Sequence, residues 1–347
     1  MKHLCCAGII AASLFLLFGC QSDVGPEPVL GPELEAFQTA TGTFSSPDRT
    51  WTDFVVADGY VYVCGGSASD FLSDVQFAAI GSDGDIESFS ATTPLPVGRA
   101  YHSCVAYNGY FYAIAGFTTS SGGSETDDIV YAPINTDGSL GAFSSASNAL
   151  NTARAHFFAA AYDGYLYVFG GSIGVGIRSV EYAQIGANGD LGAFTELANH
   201  MTSNRSMHSG ALAGDTVYLV GGRKTGSEDF DTVEYAQLTP GGVGTFTECT
   251  STFTDSRENL ECVAYNGYLY VIAGYTIDST PDKLSDIQYA PIQADGELGA
   301  FTTTTASLSS YRWHGGAGVC NDRLYVLGGG TSSGWLGDSE YASFEPR

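Results

Sequence analysis

Short apolar runs, each closed by two small residues, alternate along this chain with polar stretches, and no segment carries a long apolar stripe at helical spacing. The predicted element is the β-strand throughout. The passage Arg257 to Phe301 shows the pattern most clearly. Glu261 to Tyr265 predicts a first strand, and Asn266-Gly267 after it is a hairpin signal, since both central residues of that turn need positive φ. Tyr268 to Ile272 is an unbroken apolar run of β-forming residues, which suits a strand covered on both faces. A loop from Tyr275 to Ser285 leads to a third strand at Asp286 to Ala290. Asp295-Gly296 then turns the chain into a fourth, around Leu298 to Thr302.

The rest of the chain is this passage rewritten. An arginine recurs at Arg49, Arg99, Arg154, Arg205, Arg257 and Arg312, and the closing glycine of the small doublet at Gly66, Gly116, Gly171, Gly222, Gly274 and Gly329. A late aromatic recurs at Phe37, Phe89, Phe143, Phe194, Phe246 and Phe301. The arginines and glycines keep the same successive separations, so insertions fall outside the stretch that joins them. Six units of about 50 residues with four strands each predict an all-β fold, a six-bladed β-propeller of four-stranded antiparallel blades spanning residues 32–347.

On these features the chain resembles the kelch-repeat propellers over essentially all of residues 31 to 347. The matching residues are the arginine before the first strand, the doublets Gly65-Gly66, Gly170-Gly171, Gly221-Gly222 and Gly328-Gly329, and the third-strand aromatics Phe77, Tyr131, Tyr182, Tyr235, Tyr289 and Tyr341. It departs at Ala115-Gly116 and Ala273-Gly274, and carries phenylalanine where the family has its late tryptophan. Leu34-Glu35-Ala36-Phe37 parallels Leu298-Gly299-Ala300-Phe301, while the last unit stops after Asp338 to Tyr341 without a fourth strand. The segment Leu34 to Thr41 is therefore expected to join the C-terminal blade and close the ring, leaving no open sheet edge.

Met1 to Gly19 reads as a targeting segment, with Lys2 as its charged start and an apolar run, Ala11 to Phe18, too short to span a bilayer. Leu17-Phe18-Gly19-Cys20 resembles the lipobox of bacterial lipoproteins. That resemblance implies cleavage before Cys20, lipid on its thiol and amino group, and a place in the bacterial cell envelope, with Cys20 to Gly31 as a tether. Buried acyl methylenes contribute about 0.8 kcal/mol each, so several chains hold a domain on a membrane. With 13 basic against 38 acidic residues, the formal charge of −25 repels nucleic acid, which is excluded as a partner. Cys5 and Cys6 leave with the leader. Cys64, Cys104, Cys249, Cys262 and Cys320 remain, an odd number lying mostly in apolar strands without C-x-x-C spacing, and are read as buried thiols.

The six arginines precede the innermost strands and so are expected to ring one mouth of the central channel, together with Arg178, Arg223, Lys224 and Lys283 from loops on the same face. Arg49, Arg99, Arg154, Arg205, Arg257 and Arg312 are accordingly candidate ligand-binding residues. Beside that stands a structural reading, because a guanidinium with five donors ties loop carbonyls of neighbouring blades together. In kelch adaptors of ubiquitin ligases, arginines at matching positions grip acidic peptides, so the resemblance allows both. Tyr101, Trp313 and Trp335, with Phe117, Tyr275 and Tyr311, are candidates to stack on a sugar ring or anchor a peptide. His102, His156, His208 and His314 follow the arginines at two different offsets and are read as rim residues; no metal and no cofactor is expected. Ser46 to Trp51 resembles the Asp-box of sialidases but lacks its glycine and occurs once, and is set aside.

Two functions follow. The first is a lipid-anchored envelope binding module that holds an acidic peptide, protein or glycan on its arginine-bearing face, with no catalytic residues. The alternative is a carbohydrate-active enzyme, since kelch-like relatives of this size include bacterial sialic acid epimerases (mutarotases), in which a carboxylate with an arginine moves a proton. Glu258, beside Arg257, is the residue cast in that role. The copper site of galactose oxidase, a relative by fold, has no counterpart placed here.

Overall fold

The computed structural model describes residues 30–44, 49–118, 124–224, 228–277, 283–332 and 334–346. The leader, Cys20 and most of the tether lie outside them. Six antiparallel sheets of four principal strands stand around one axis, and no helix occurs among the described residues. The innermost strands are Asp53–Ala57, Ser103–Tyr107, Phe158–Tyr162, Ser209–Ala213, Glu261–Tyr265 and Gly316–Cys320. Each touches the next, and the sixth touches the first, so the ring is closed.

The first two strands of each blade are joined by two-residue hairpins. Asp58-Gly59, Asn108-Gly109, Asp163-Gly164, Asn266-Gly267 and Asn321-Asp322 all have positive φ at both positions, the mirror-image turn that suits twisted strands. The second strands, Tyr60–Cys64, Tyr110–Phe117, Tyr165–Phe169, Thr216–Val220, Tyr268–Tyr275 and Arg323–Leu327, are almost wholly buried. Each lies between an inner strand and a third strand, and its faces pack against the two neighbouring blades. Six apolar clusters result, one between each pair of adjacent blades, rather than one central core. The fourth strands are only two residues long and start later than expected: Thr302–Thr303 in the fifth blade, with Leu298 bridging back to Ile292 across the turn.

The doublet that ends the second strand has a steric cause. Its first residue is left-handed in every blade, and Ala115 and Ala273 adopt the same conformation (φ 49° and 52°) as Gly65 (58°). Its second residue tolerates no side chain. A Cβ on Gly66 would meet the Thr50 carbonyl oxygen at 2.8 Å, and one on Gly116 the Ala100 oxygen at 2.6 Å. The same close approach serves a bond between blades: the N–H groups of Gly66, Gly116, Gly171, Gly222 and Gly274 donate to the carbonyls of Arg99, Arg154, Arg205, Arg257 and Arg312 in the next blade.

The ring closes as the sequence predicts. Gln38–Thr39 pairs antiparallel with Ser339–Pro346 as the fourth strand of the last blade, and Leu30–Leu34 extends the pairing toward Pro346. A second device uses the tyrosine that recurs in the second strand of every repeat. The hydroxyls of Tyr62, Tyr112, Tyr167, Tyr218 and Tyr325 each donate to a carbonyl in the turn between third and fourth strands of the following blade: Gly138, Gly189, Thr239, Gly296 and Gly84. Tyr270 faces the last blade, where the pairing of Leu30–Leu34 with Ser339–Pro346 replaces that turn. Its hydroxyl is buried with no partner among the described residues.

Candidate functional site

All six repeat arginines are buried, at 1% exposure or less. Each Nη1 donates to the carbonyl 16 residues on, at Gly65, Ala115, Gly170, Gly221, Ala273 or Gly328, over 2.7–3.1 Å. Each also meets a carboxylate from the third strand: Arg49 with Asp74, Arg99 with Asp128, Arg154 with Glu181, Arg205 with Glu234, Arg257 with Asp286, and Arg312 with Asp338 and Glu340. The expectation that these guanidinium groups present themselves at the mouth is therefore corrected. A charge buried away from water is stable only when paired and hydrogen-bonded, and this pairing occupies both terminal nitrogens of every guanidinium, while the Nε of Arg49, Arg99 and Arg312 is buried without a partner among the described residues.

The mouth is built by the residues next to them. Two positions after each arginine stand Trp51, Tyr101, His156, Met207, Asn259 and His314, all in the left-handed region with φ between 52° and 57°. Their backbones are chained around the axis, since the N–H groups of Tyr101, His156, Met207, Asn259 and His314 donate to the carbonyls of Trp51, Tyr101, His156, Met207 and Asn259 respectively. This places six side chains over the channel. Outside them, the residue after each doublet bridges the residue after each arginine, which brings Phe117 beside Ala100, Arg223 beside Ser206, Tyr275 beside Glu258 and Gly330 beside Trp313.

The scaffold is symmetric and its decoration is not. One arc of the mouth is aromatic. Trp51 stacks on Tyr101 with ring centroids 4.4 Å apart, Tyr101 contacts Phe117 (5.4 Å) and His156 (4.1 Å), and Trp51 reaches Trp335 (6.3 Å). Trp335 then meets Trp313 and Trp313 meets Tyr275, with Lys283 above the last two rings. Trp335 is seated by Gly330, where a Cβ would meet its ring at 2.3 Å. The adjoining sector is polar: Arg223 Nη2 donates to Glu258 Oε1 at 2.7 Å, Arg223 Nε lies 2.6 Å from Glu258 Oε2, and Asn259 Nδ2 donates to the same carboxylate. Burial raises the pKa of Glu258 to about 7, although Arg223 draws it down; Asp229 adds to the rise.

Below this ring a cavity of about 130 Å³ occupies the channel top. Two carboxylates on inner strands line it. Asp53 is raised to about 6 by burial, against hydrogen bonds from the N–H groups of Cys104 and Phe54. Glu261 is raised well above the usual range, by burial first and by the charge of Asp53 second. His156 and His314 are lowered to about 3 by burial, so both imidazoles are neutral at physiological pH.

Of the predicted site residues, Tyr101, Trp313 and Trp335 come together on the aromatic arc, and Arg223 and Lys283 reach its edges. Arg178 is exposed on its loop, and Lys224 pairs with Glu228. Glu258 lies at the mouth, but its cation is Arg223 rather than its neighbour Arg257. Trp51 is not among the predicted residues, since the sequence around it resembles a different motif. The signal that marks it is its place two residues after a repeat arginine, shared with Tyr101.

No protein-family model matches this chain, and no curated protein matches it. Among solved structures it is similar to that of YjhT, with a TM-score of 0.69 at 14% identity, covering 87% of this chain and 95% of the YjhT chain. At that identity the likeness concerns the fold, the six-bladed propeller. That fold suits both binding modules and sugar-active enzymes.

Proposed function

We propose that this protein is a carbohydrate-binding propeller, held at the bacterial envelope by lipid on Cys20, whose channel mouth takes a sugar ring on the arc Tyr101–Trp51–Trp335–Trp313. The observation that carries the reading is the gathering of the chain's three tryptophans at one mouth, beside a polar pair, on a scaffold whose repeat requires none of them there. Aromatic faces pack on the apolar faces of sugar rings, and the Arg223–Glu258 pair and Asn259 supply directional bonds to hydroxyls or a carboxylate at the ring's edge. Acidic peptides are disfavoured relative to glycans, because the arginines that would have gripped them are engaged within the blades.

Because all three tryptophans lie at this site, intrinsic fluorescence reads binding there directly. Titration with neutral and acidic oligosaccharides should change the emission saturably, and Trp313→Ala should weaken binding at least tenfold in a protein that still folds. Saturable glycan binding that leaves tryptophan emission unchanged would place the site elsewhere. Lipidation is tested separately: Cys20→Ser should release the protein from the membrane fraction.

A second reading is favoured by Glu258. A carboxyl group titrating near 7 beside an arginine has the properties of a general acid–base pair, as in the proton transfers of sugar mutarotation. Proton NMR of sialic acid anomers mixed with the domain tests it. Acceleration lost in Glu258→Gln supports it, and no acceleration by the wild-type protein removes it.

A further inference from the structure

Between the first two blades, Cys64, His102 and Cys104 point their donor atoms into one small space. The two sulfurs and a ring nitrogen all lie within 4.8 Å of one another. Cys64 ends the second strand of blade one, His102 precedes the inner strand of blade two, and Cys104 is on that strand. Both thiols are free and buried, and they face one another closely enough to share a hydrogen bond. His102 is 7% exposed, and neither of its ring nitrogens has a hydrogen-bond partner among the described residues. A buried imidazole without any partner costs free energy that a ligand at its nitrogen would recover.

The repeat supplies its own comparison. His208 occupies the same position in blade four and is equally buried, close to the Phe169 backbone. Around it, Phe169 stands where Cys64 does, and Gly210 where Cys104 does. A buried histidine is thus compatible with the fold alone, whereas among the described residues two thiols converge on one in a single blade interface.

We propose that Cys64, His102 and Cys104 form a metal site that clasps blades one and two around a thiophilic divalent cation, Zn²⁺. Two thiolates and a neutral imidazole are zinc ligands, with bonds of about 2.3 Å to sulfur and 2.0–2.1 Å to nitrogen. Two thiolates neutralise the double charge of the ion, which suits a site removed from water better than the net negative site that Cu⁺ would leave. On binding, each thiol gives its proton to solvent as its sulfur bonds the metal, so one ion enters and two protons leave. The channel cavity, which His102 and Ser103 help to line, supplies the entry path and a water for the fourth position. Because its ligands come from both blades, an ion held here locks one of the six blade interfaces.

The test uses the full chain, reduced, stripped with a chelator and titrated with Co²⁺ as the spectroscopic probe. The expected result is one equivalent bound, with thiolate-to-cobalt charge-transfer absorption and tetrahedral visible bands, displaced by Zn²⁺ with a rise in Tm. Cys64→Ser, Cys104→Ser and His102→Gln should each weaken binding more than tenfold, while Cys249→Ser, Cys262→Ser and His208→Gln leave it unchanged. Folded wild-type protein that shows no such bands overturns the proposal without recourse to variants. Binding that survives the Cys64→Ser/Cys104→Ser double change also overturns it, as does a Cys64–Cys104 disulfide found by peptide mapping of unreduced protein.

Discussion

Trp51 Nε1–H donates to Nε2 of His314 at 3.1 Å, across the junction where the first and last blades meet. The bond requires an unprotonated Nε2, and burial holds the His314 pKa at about 3, with His156 adding a small further depression. An imidazolium beside an indole quenches its emission, so the mouth carries its own indicator. Native-state fluorescence should show no step near pH 6.5, where an ordinary histidine titrates. A step at that pH that disappears in Trp51→Phe would show that His314 is solvated and that the mouth is more open than described.

The buried arginines make a sharp prediction about stability. Arg154 and Glu181 are both fully buried, as are Arg205 and Glu234. Removing one partner leaves an uncompensated charge, which costs about 3–5 kcal/mol. Arg154→Ala should therefore lower the urea midpoint by much of the domain's stability, and the triple change of Arg154, Arg205 and Arg312 to Ala should prevent folding. Asp128→Ala should cost less than Glu181→Ala, because the Asp128 carboxylate is 46% exposed and leaves its side of Arg99 open to water, whereas Glu181 is fully buried. A triple variant with wild-type circular dichroism and a wild-type melting curve would reject the structural assignment of these residues.

Much of this was written in the sequence, but in two registers. Period, strand order and ring closure follow from local rules, since Asn266-Gly267 makes a hairpin wherever it stands and the missing fourth strand of one end matches the spare strand of the other. The fate of the arginines needed a comparison between repeats. Where the third strand begins Asp-x-Gln or Asp-x-Val, as at Asp74, Asp128 and Asp286, the first position pairs the arginine; where it begins Ser179-x-Glu181 or Thr232-x-Glu234, the carboxylate has moved two residues along the same face. That exchange keeps at least one acid per arginine, and both in the last blade at Asp338 and Glu340, which signals an internal partner. The mouth was less legible, because its asymmetry comes from positions one, two and eighteen residues after each arginine, where the repeat fixes backbone geometry but leaves the side chain free, and from Trp335 on a later loop. Arg223 and Glu258 meet there from neighbouring blades, 35 residues apart.

Tyr218 and Tyr270 are the same residue in consecutive blades with different surroundings. The Tyr218 hydroxyl donates to the Gly296 carbonyl at 2.9 Å, and the Tyr270 hydroxyl has no partner among the described residues. A net hydrogen bond contributes about 0.5–1.5 kcal/mol, and an unpaired buried hydroxyl is a liability. Tyr218→Phe should be destabilising by about 1 kcal/mol, and Tyr270→Phe neutral or stabilising, as read from chemical denaturation of the two variants side by side. Equal losses would mean that the next-blade contact is not what holds Tyr218.

Acid should loosen the protein through its buried histidines. His208 is held at about 3 by burial, with Arg205 contributing, against an unfolded value near 6.5. Between these values the unfolded chain binds a proton that the native state refuses, so stability is full above pH 6.5 and falls as pH drops toward 3. From pH 7.5 to 5 the linkage at one such site is about 2 kcal/mol. His208→Leu, which imitates Leu260 at the matching position of the next blade, should flatten the dependence of unfolding free energy on pH over that range by this amount. An unchanged slope would mean that His208 is protonated in the folded state.

The strand that closes the ring should govern whether the domain unfolds as one body. Leu34, Ala40 and Phe44 are buried, Leu34 in the cluster between blades five and six and the other two in the cluster between blades six and one. Gln38–Thr39 pairs the edge of the last blade, and the Phe44 N–H donates to the Gly337 carbonyl at 3.2 Å. Deleting residues 30–45 removes apolar area from two interfaces at about 25 cal/mol per Å², and leaves Ser339–Pro346 as an unpaired edge. The truncated chain should melt at a lower temperature over a broader range, beginning with blade six, and should associate through the new edge. A synthetic peptide of residues 30–45 added in trans should restore part of the lost Tm in a concentration-dependent way, as mass action requires of a segment that binds only the folded ring. A truncated chain that melts as sharply and as high as the whole protein would show that the inner-strand contacts hold the ring without this strand.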